Sequence, residues 1–278
     1  MVKVTAIILG IIQGLTEFLP ISSSGHLVLT QHLFGMKEPE VFFDVVLHLG
    51  TLAAICLVLW REIWSLAIEI IRLPLALKER GALATAWRER PHFRLLILIA
   101  AGSIPTGLIG YIFQDFLESL FASTLTVGMA LLVTGLVLFL TRSIKTGSRK
   151  VTGFRLVDAL LIGLAQGLAI TPGISRSGFT ISAGLFLGLD RELSARYSFL
   201  LAIPAILGAL VFQIDGIAAS SFGLSGLILG FVAATISGWL AIVVLLKIVR
   251  GGNLFYFAYY CWLIGLVTLG LTIYGFSG

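Results

Sequence analysis

The stretch LGIIQGLTEFLPISSSGHLVL, residues 9–29, begins and ends in hydrocarbon side chains but carries an acid, three serines and a histidine in its middle. A second stretch, IGLAQGLAITPGISRSGFTIS at residues 162–182, aligns with it without a gap at an offset of 153 positions. The alignment pairs Gln13 with Gln166, Gly14 with Gly167, Ser22 with Ser175, Ser24 with Ser177 and Gly25 with Gly178. Each half of either stretch is too short to cross a bilayer alone. Backbone at membrane depth unwinds only where protein or water satisfies its polar groups, so both stretches predict re-entrant helical hairpins.

The composition places these hairpins in a membrane protein. The 278 residues are 58% hydrophobic and 12% charged, with a mean hydropathy of +1.05, whereas soluble domains are about 25% charged. Continuous apolar runs favour α-helices over a β-barrel, whose strands alternate. Six runs long enough to span predict transmembrane helices at about 41–60, 94–113, 121–141, 194–214, 223–247 and 254–275. The predicted fold is therefore an all-α integral membrane protein with six transmembrane helices and two re-entrant hairpins.

The two hairpins divide the chain into two inverted repeats. Residues 1–278 form one membrane domain, in which repeats of about 1–150 and 151–278 each contain one hairpin and three spans. A re-entrant hairpin does not cross the membrane, whereas three spans carry the chain to the opposite side. The second repeat therefore begins on the other side of the membrane and must have the opposite orientation. Inverted repeats whose broken helices meet near the midplane are common in transporters.

Charge distribution predicts the orientation of this topology. The net charge of +5 is explained by basic cytoplasmic loops, and no nucleic-acid partner is expected. The topology gathers all Lys and Arg residues except Lys3, Lys37 and Arg176 on one side, which is then cytoplasmic. We expect a multi-pass protein of the bacterial cytoplasmic (inner) membrane, with both termini outside and a site that opens toward the outer face. No cleavable signal peptide is expected, because Glu17 and Pro20 interrupt the first apolar stretch.

Two smaller features carry expectations of their own. The basic, tryptophan-containing segment 61–93 predicts a pair of amphipathic helices lying on the membrane surface. Cys56 and Cys261 lie inside apolar runs, which predicts buried free thiols rather than a disulfide.

Ionisable side chains at the two breaks predict a functional site. Charged groups inside a membrane cost a few kcal/mol even on insertion scales, and Glu17, His26 and Arg176 are brought together by the two hairpins. The alternative is a buried Glu17–Arg176 pair that only pins the hairpins to each other. That alternative leaves His26 and the serine cluster without a role.

The chemistry of the breaks suits a phosphate. A helix restarts after each break, and its unpaired N–H groups form an anion seat. Arg176 can grip phosphate bidentately, Glu17 and His26 can move protons, and a serine beside His26 can act as the nucleophile. The candidate phosphate-binding residues are Ser22, Ser24, Gly25, Ser175, Arg176, Ser177 and Thr180. Gln13 and Glu17, spaced i,i+4, could hold a divalent cation if the substrate phosphates supplied further ligands.

Three other polar residues in apolar surroundings have structural interpretations. Asp44 and His48, also spaced i,i+4, predict a hydrogen-bonded pair that supports the first hairpin, with catalysis as the alternative. Asp158, at the start of the second hairpin, predicts a favourable charge at a helix N-terminus.

The motifs QGLTEFLPISSSGH and PGISRSGFT resemble the two signature motifs of the bacterial undecaprenyl-diphosphate phosphatase family, also called the bacitracin-resistance family. The resemblance covers essentially the whole chain. It implies removal of the outer phosphate from undecaprenyl diphosphate, which recycles the lipid carrier for peptidoglycan and other envelope glycans, and it implies bacitracin resistance. By position it implies a nucleophile at Ser23, a catalytic histidine at His26 and a phosphate-binding arginine at Arg176.

The resemblance also implies a divalent metal, magnesium or calcium, at Gln13 and Glu17. Position 13 is Gln where some members have Glu, so Glu17 carries the only charge of this pair. Ser22, Ser23 and Ser24 are consecutive, which leaves the choice of nucleophile open, as is the choice between a covalent serine and direct attack by water.

A polyprenyl-phosphate lipid transporter or flippase that uses the same inverted-repeat site is the alternative function. The expected partners are undecaprenyl diphosphate and membrane lipids. A homodimer is compatible with the small-residue face GLSGLILG at 223–230.

Overall fold

The computed structural model describes residues 2–34, 41–78, 81–121, 123–144, 147–213 and 222–273. Within these ranges the chain forms α-helices, two short 3₁₀ turns and no β-strand, which confirms the predicted all-α fold. Lys37, Arg80 and Lys145, three of the basic residues used in the charge argument, lie outside the described residues.

The structure describes thirteen α-helices. They are α1 (Val2–Phe18), α2 (Ser23–Leu33), α3 (Val41–Val58), α4 (Trp60–Lys78), α5 (Ala82–Glu89), α6 (Pro91–Ile112), α7 (Gln114–Phe121), α8 (Thr124–Leu140), α9 (Leu156–Leu168), α10 (Arg176–Phe186), α11 (Arg191–Gln213), α12 (Gly223–Arg250) and α13 (Tyr256–Ile273).

Helix length and composition make the chain a multi-pass membrane protein. Among the described helices, α6, α8, α11, α12 and α13 are each long and apolar enough to cross a bilayer. A sixth candidate arises from α3 together with α4, which bends away from it by 89°. This bend fits the prediction that residues 61–93 form a helix pair along the membrane surface, since α4 and α5 occupy that segment.

Both predicted hairpins are present as two helices separated by a break, and they pack reciprocally. α1 lies against α12, and α9 lies against α6. The contacts use equivalent glycines, because a Cβ on Gly10 would overlap the carbonyl oxygen of Gly230, and one on Gly163 would overlap that of Gly102. Small residues of this kind let helix backbones approach closely in membranes. The first helix of each hairpin thus packs against a long helix from the other half of the chain, and the two breaks lie side by side.

Hydrogen bonds gather the basic ends of several helices on one face. Arg196 at the start of α11 pairs with Glu62 of α4 and with Glu192, which also receives Arg250 from the end of α12 at 2.8 Å. Arg94 of α6 donates to the Phe154 carbonyl, next to the start of α9, at 2.8 Å. The predicted topology places the helix ends and loops that carry these residues on one side of the membrane.

The structure tests three further sequence expectations. Asp158 caps α9 as predicted, by accepting from the Arg155 N–H at 2.9 Å and from the Arg149 guanidinium. Both cysteines are free, but only Cys261 is buried. The prediction for Cys56 was wrong, because a helix that is apolar on every side gives no sequence signal for which face points away from the protein.

Candidate active site

Glu17 is the centre of a buried polar cluster formed by the two breaks. It lies one residue before the end of α1 and its side chain is 6% exposed. Its Oε2 accepts the Ser23 hydroxyl at 2.5 Å and the Gln13 amide N–H at 3.0 Å, while its Oε1 pairs with the Arg176 guanidinium. Four of the predicted site residues therefore meet at one carboxylate.

The two residues that reach Glu17 from the helix restarts are equivalent in the repeats. Ser23 is the first residue of α2 and Arg176 is the first residue of α10, and they are separated by the offset of 153. One repeat therefore contributes a hydroxyl and the other a guanidinium to the same carboxylate. The predicted Glu17–Arg176 pair is present, but it also holds Ser23, so it does more than pin the hairpins.

Ser22 immediately precedes α2 and Ser175 immediately precedes α10, and their hydroxyls cap these two helices. Ser22 Oγ accepts from the Gly25 N–H at 3.4 Å, and Ser175 Oγ accepts from the Gly178 N–H at 3.1 Å. Each capping hydroxyl also contacts the serine two residues on, Ser24 or Ser177, at 3.3 Å or 3.2 Å. Because these hydroxyls are used in caps, Ser23 is distinguished from its neighbours by its contact with a carboxylate.

The backbone of Ser22 is strained at this point. Ser22 has φ of 69°, and among the described residues it is the only non-glycine with positive φ. Such outliers cost about 1–3 kcal/mol and tend to occur at functional sites. The strained turn directs Ser23 toward Glu17 and starts α2 at the cluster.

The glycines of the breaks allow the two tips to touch. A Cβ on Gly25 would lie 3.7 Å from Gly173 Cα of the other tip, and one on Gly178 would lie 3.2 Å from Pro20 Cβ. Ser177 Oγ donates to the Leu19 carbonyl at 3.4 Å, which joins the tips directly. The two tips are therefore in direct contact at Gly25 and Gly178.

His26 and Thr180 were predicted in the site but contact neighbouring helices instead. His26 Nδ1 faces the Ser22 carbonyl at 2.8 Å and its Nε2 faces the Tyr260 hydroxyl of α13 at 2.8 Å, so neither ring nitrogen is directed at Ser23. The Thr180 hydroxyl donates to the Arg176 carbonyl and lies 2.6 Å from Ser198 Oγ of α11. Sequence spacing predicted that these residues lie in the first turns of α2 and α10. It gave no information about the direction in which their side chains point.

His48 is a contact of the site that the sequence assigned to a supporting pair. The predicted hydrogen-bonded pair of Asp44 and His48 is present, because His48 Nδ1 donates to the Asp44 backbone carbonyl at 2.8 Å, and Asp44 Oδ1 links the pair to the first hairpin by accepting from Gln31 of α2 at 2.9 Å. His48 Nε2 lies 3.9 Å from Glu17 Oε2. The sequence signal for this contact was a histidine inside an apolar run. Because an acid precedes it by four residues, the spacing was explained by a local pair.

The cluster offers limited but suitable ligands for a divalent cation. Among the described residues no three His, Cys, Asp or Glu side chains form a metal-binding group. However, Gln13 Oε1 is buried without a hydrogen-bond partner beside the Glu17 carboxylate. Two protein oxygens fit a cation such as Mg²⁺, which usually takes its other ligands from water and substrate phosphates.

A profile of the family described as bacitracin resistance protein BacA matches residues 6–267, a range that contains both breaks. The chain belongs to the BacA family. This confirms the resemblance drawn from the two motifs. Similar proteins named undecaprenyl-diphosphatase share 48% identity in Desulfatibacillum aliphaticivorans, over 95% of this chain and 96% of the relative. Those of Carboxydothermus hydrogenoformans and Methanosphaera stadtmanae share 44% and 46% identity, each over 97% of this chain and over 97% and 98% of their own lengths. The BacA family match therefore covers both halves of the Glu17 cluster.

Proposed function

We propose that the protein hydrolyses undecaprenyl diphosphate to undecaprenyl phosphate and inorganic phosphate. The observation that carries the proposal is that one buried carboxylate, Glu17, holds a hydroxyl on one oxygen and a guanidinium on the other. A nucleophile, a base and a phosphate-binding cation are the groups that phosphoryl transfer needs. The names of the relatives supply the substrate. This activity would recycle the lipid carrier for peptidoglycan and other envelope glycans and confer bacitracin resistance.

Ser23 is the proposed nucleophile. Its Oγ forms a bond to the terminal phosphorus as the bond from that phosphorus to the bridging oxygen breaks, and undecaprenyl phosphate leaves with the electron pair. The hydroxyl proton moves to Glu17, whose Oε2 already accepts it at 2.5 Å. Water then adds to the phosphorus, keeps one hydrogen as a P–OH group and gives its other proton to solvent, while the serine oxygen leaves, recovers its proton from Glu17, and inorganic phosphate is released. Direct attack by water held at Ser23 is the alternative route.

Arg176 is the proposed phosphate ligand. Its pairing with Glu17 uses one edge of the guanidinium, whose remaining N–H groups can bind phosphate oxygens. The first turns of α2 and α10 start at the cluster, so their backbone N–H groups add to the anion seat. Ser24, Ser175 and Ser177 line these turns and remain predicted phosphate contacts.

His26 keeps its predicted role in proton transfer, with a requirement that the sequence did not reveal. Its Nε2 must leave the Tyr260 hydroxyl, or exchange a proton through it, before it can act on substrate. Gln13 Oε1 and Glu17 would hold magnesium or calcium together with the substrate phosphates, and the cation would neutralise phosphate charge.

The orientation is proposed from charge. The basic face formed by Arg94, Arg196 and Arg250 is assigned to the cytoplasm of the bacterial cytoplasmic membrane. Both termini then face outward, and the site opens to the outer face. The inverted repeats at 1–150 and 151–278 are supported by the reciprocal packing of α1 on α12 and α9 on α6. Labelling of Lys3→Cys, at an exposed position near the start of α1, by a membrane-impermeant reagent from outside is expected, and labelling only from inside would contradict this orientation.

Phosphate release from undecaprenyl diphosphate by the purified protein tests the activity. Glu17→Ala, His26→Ala and Arg176→Ala should each lose most turnover, and near-normal turnover in all three would contradict the proposal. The flippase alternative is tested in vesicles that contain the labelled lipid. Translocation without hydrolysis would favour a transporter, whereas the Ser23–Glu17 contact favours the hydrolase. Size measurement in detergent would test the proposed homodimer.

A further inference from the structure

We infer that Thr134 is a positioning residue for Arg176, which holds the tip of the second hairpin so that the guanidinium faces the phosphate site. The inference rests on the proposed function and adds a residue from α8, an element outside both hairpins. The Thr134 hydroxyl donates to the Gly173 carbonyl at 3.1 Å and accepts from the Ser175 N–H at 3.1 Å. It therefore bridges the two ends of the turn that immediately precedes Arg176.

The turn needs such a partner because it lies in an apolar interior. Gly173 and Ser175 lie between the end of α9 and the start of α10, and backbone groups at membrane depth are strongly unfavourable without a hydrogen bond. Thr134 is 0% exposed and Ser175 is 2% exposed, so the hydroxyl supplies these bonds in place of bulk water. A threonine hydroxyl can donate and accept at once, which is what a carbonyl and an N–H side by side require.

The tip also packs directly on α8 at this point. Gly173 has a positive φ of 90°, a conformation that favours glycine. A Cβ at this position would lie 2.5 Å from the Val127 carbonyl oxygen and 2.8 Å from Ala130 Cβ, both on α8. The position of Arg176, the first residue of α10, is therefore set by contacts with α8.

The first hairpin has a corresponding contact. Pro20 precedes Gly173 by the offset of 153, and its carbonyl accepts from the Cys261 thiol of α13 at 3.5 Å. α8 and α13 pack against each other, and each holds a tip from the other half of the chain. A thiol is a weaker donor than a hydroxyl, so the tip that carries Arg176 is held more firmly than the tip that carries Ser23.

A firm tip matters because the long side chain of Arg176 carries the phosphate-binding group at its far end. A misplacement of about 1 Å in a group that positions substrate can cost roughly 100-fold in rate. Thr134→Val, which keeps the shape of the side chain without its hydroxyl, should therefore lower kcat/KM for undecaprenyl diphosphate by roughly 10- to 100-fold. It should also raise the inhibition constant of inorganic phosphate by about tenfold, since the same guanidinium binds the product.

Thr106→Val is the matched control. Thr106 of α6 is also buried, and its hydroxyl also contacts the second hairpin, where it donates to the Gly163 carbonyl at 2.9 Å and accepts from Gln166 at 3.2 Å. These contacts lie on α9, away from the tip. Thr106→Val should lower the melting temperature about as much as Thr134→Val, while kcat/KM and phosphate inhibition stay within about threefold of wild type.

Two smaller substitutions separate the hydrogen bonds of Thr134 from its packing. Thr134→Ser and Thr134→Cys both lack the threonine methyl group, but the first keeps a hydroxyl and the second presents a weak thiol donor. We expect Thr134→Ser to keep kcat/KM within about threefold of wild type and Thr134→Cys to fall between the serine and valine variants. The comparison of serine with cysteine decides the matter even if the valine variant fails to fold.

The dependence on Arg176 is tested in an Arg176→Lys background. Lysine presents a point charge on a flexible stem rather than a rigid fork, so its contact with phosphate depends less on the orientation of the turn. Thr134→Val should then lower kcat/KM by less than about threefold. The same loss in both backgrounds would overturn the inference, because Thr134 would then act independently of Arg176.

Three other results would also overturn the inference. They are wild-type kcat/KM and phosphate inhibition in Thr134→Val, losses of the same size in Thr106→Val, and equal activity of Thr134→Ser and Thr134→Cys. Wild-type protein that releases no phosphate would instead contradict the proposed function, so the two failures are distinguishable in the same assay.

Discussion

The Glu17–Arg176 pair should be strongly coupled in stability as well as in function. Both side chains are largely buried, at 6% and 16% exposure, and removal of one partner of a buried pair typically costs 3–5 kcal/mol. Ser23, Gln13 and His48 continue to contact the carboxylate, so Arg176→Gln should fall near the lower end, about 3 kcal/mol. The double variant Glu17→Gln, Arg176→Gln leaves no uncompensated charge and should cost less than the sum of the single variants, with a coupling energy of about 1–3 kcal/mol.

Equilibrium unfolding in mixed detergent micelles, followed by tryptophan fluorescence, measures the free energy of unfolding of the wild type, the two single variants and the double variant. The control pair is Glu192–Arg250 on the basic face, whose side chains are 34% and 54% exposed. Its coupling should stay below about 1 kcal/mol, as for other exposed ion pairs. A coupling of Glu17 to Arg176 within about 0.5 kcal/mol of zero would refute the account of the cluster.

Three further predictions concern the hairpins and the metal. Gly163→Ala should destabilise the protein by about 1–3 kcal/mol because its Cβ would overlap the Gly102 carbonyl oxygen; Gly107→Ala, which would meet no atom within 4 Å, should be neutral or slightly stabilising in the same melting assay. Burial raises the pKa of Asp158, but hydrogen bonds from the Arg155 N–H and the Arg149 guanidinium outweigh this and lower it. Asp158→Asn should cost roughly 1–3 kcal/mol near neutral pH, and its deficit in melting temperature should shrink as the pH falls through that lowered pKa; a deficit that is constant with pH would contradict this. Chelation should reduce phosphate release, and Gln13→Ala should raise the Mg²⁺ concentration that restores half of it by about tenfold; an unchanged requirement would remove Gln13 from the metal site.

The breaks, the spans and much of the cluster were predictable from sequence because their signals are local. The predicted span 94–113 corresponds to α6 (Pro91–Ile112), and 121–141 corresponds to α8 (Thr124–Leu140). Gapless self-similarity between residues 9–29 and 162–182 identified both tips. Unsatisfied backbone and charge are so costly in lipid that polar residues in an apolar run indicate a site on their own.

The direction of side chains was not predictable in the same way. In a soluble helix, polarity distinguishes the outer face from the inner one, but a membrane helix is apolar on both. The contact of His26 with Tyr260, 234 residues apart, depends on how α13 packs against the first hairpin. His48 was explained by its neighbour Asp44 because the spacing is local, whereas the contact with Glu17 requires the packing of α3 on α1.

Single-turnover phosphate release tests most directly the proposal that the carboxylate-bound serine, Ser23, carries the chemistry. Purified wild type, Ser22→Ala, Ser23→Ala and Ser24→Ala are each mixed in excess with undecaprenyl diphosphate labelled on its terminal phosphate. Ser23→Ala should lose at least about 100-fold in rate, while Ser22→Ala and Ser24→Ala, which lose a helix cap or its contact, should stay within about tenfold of wild type. A Ser23→Ala protein that releases phosphate at the wild-type rate would contradict the claim.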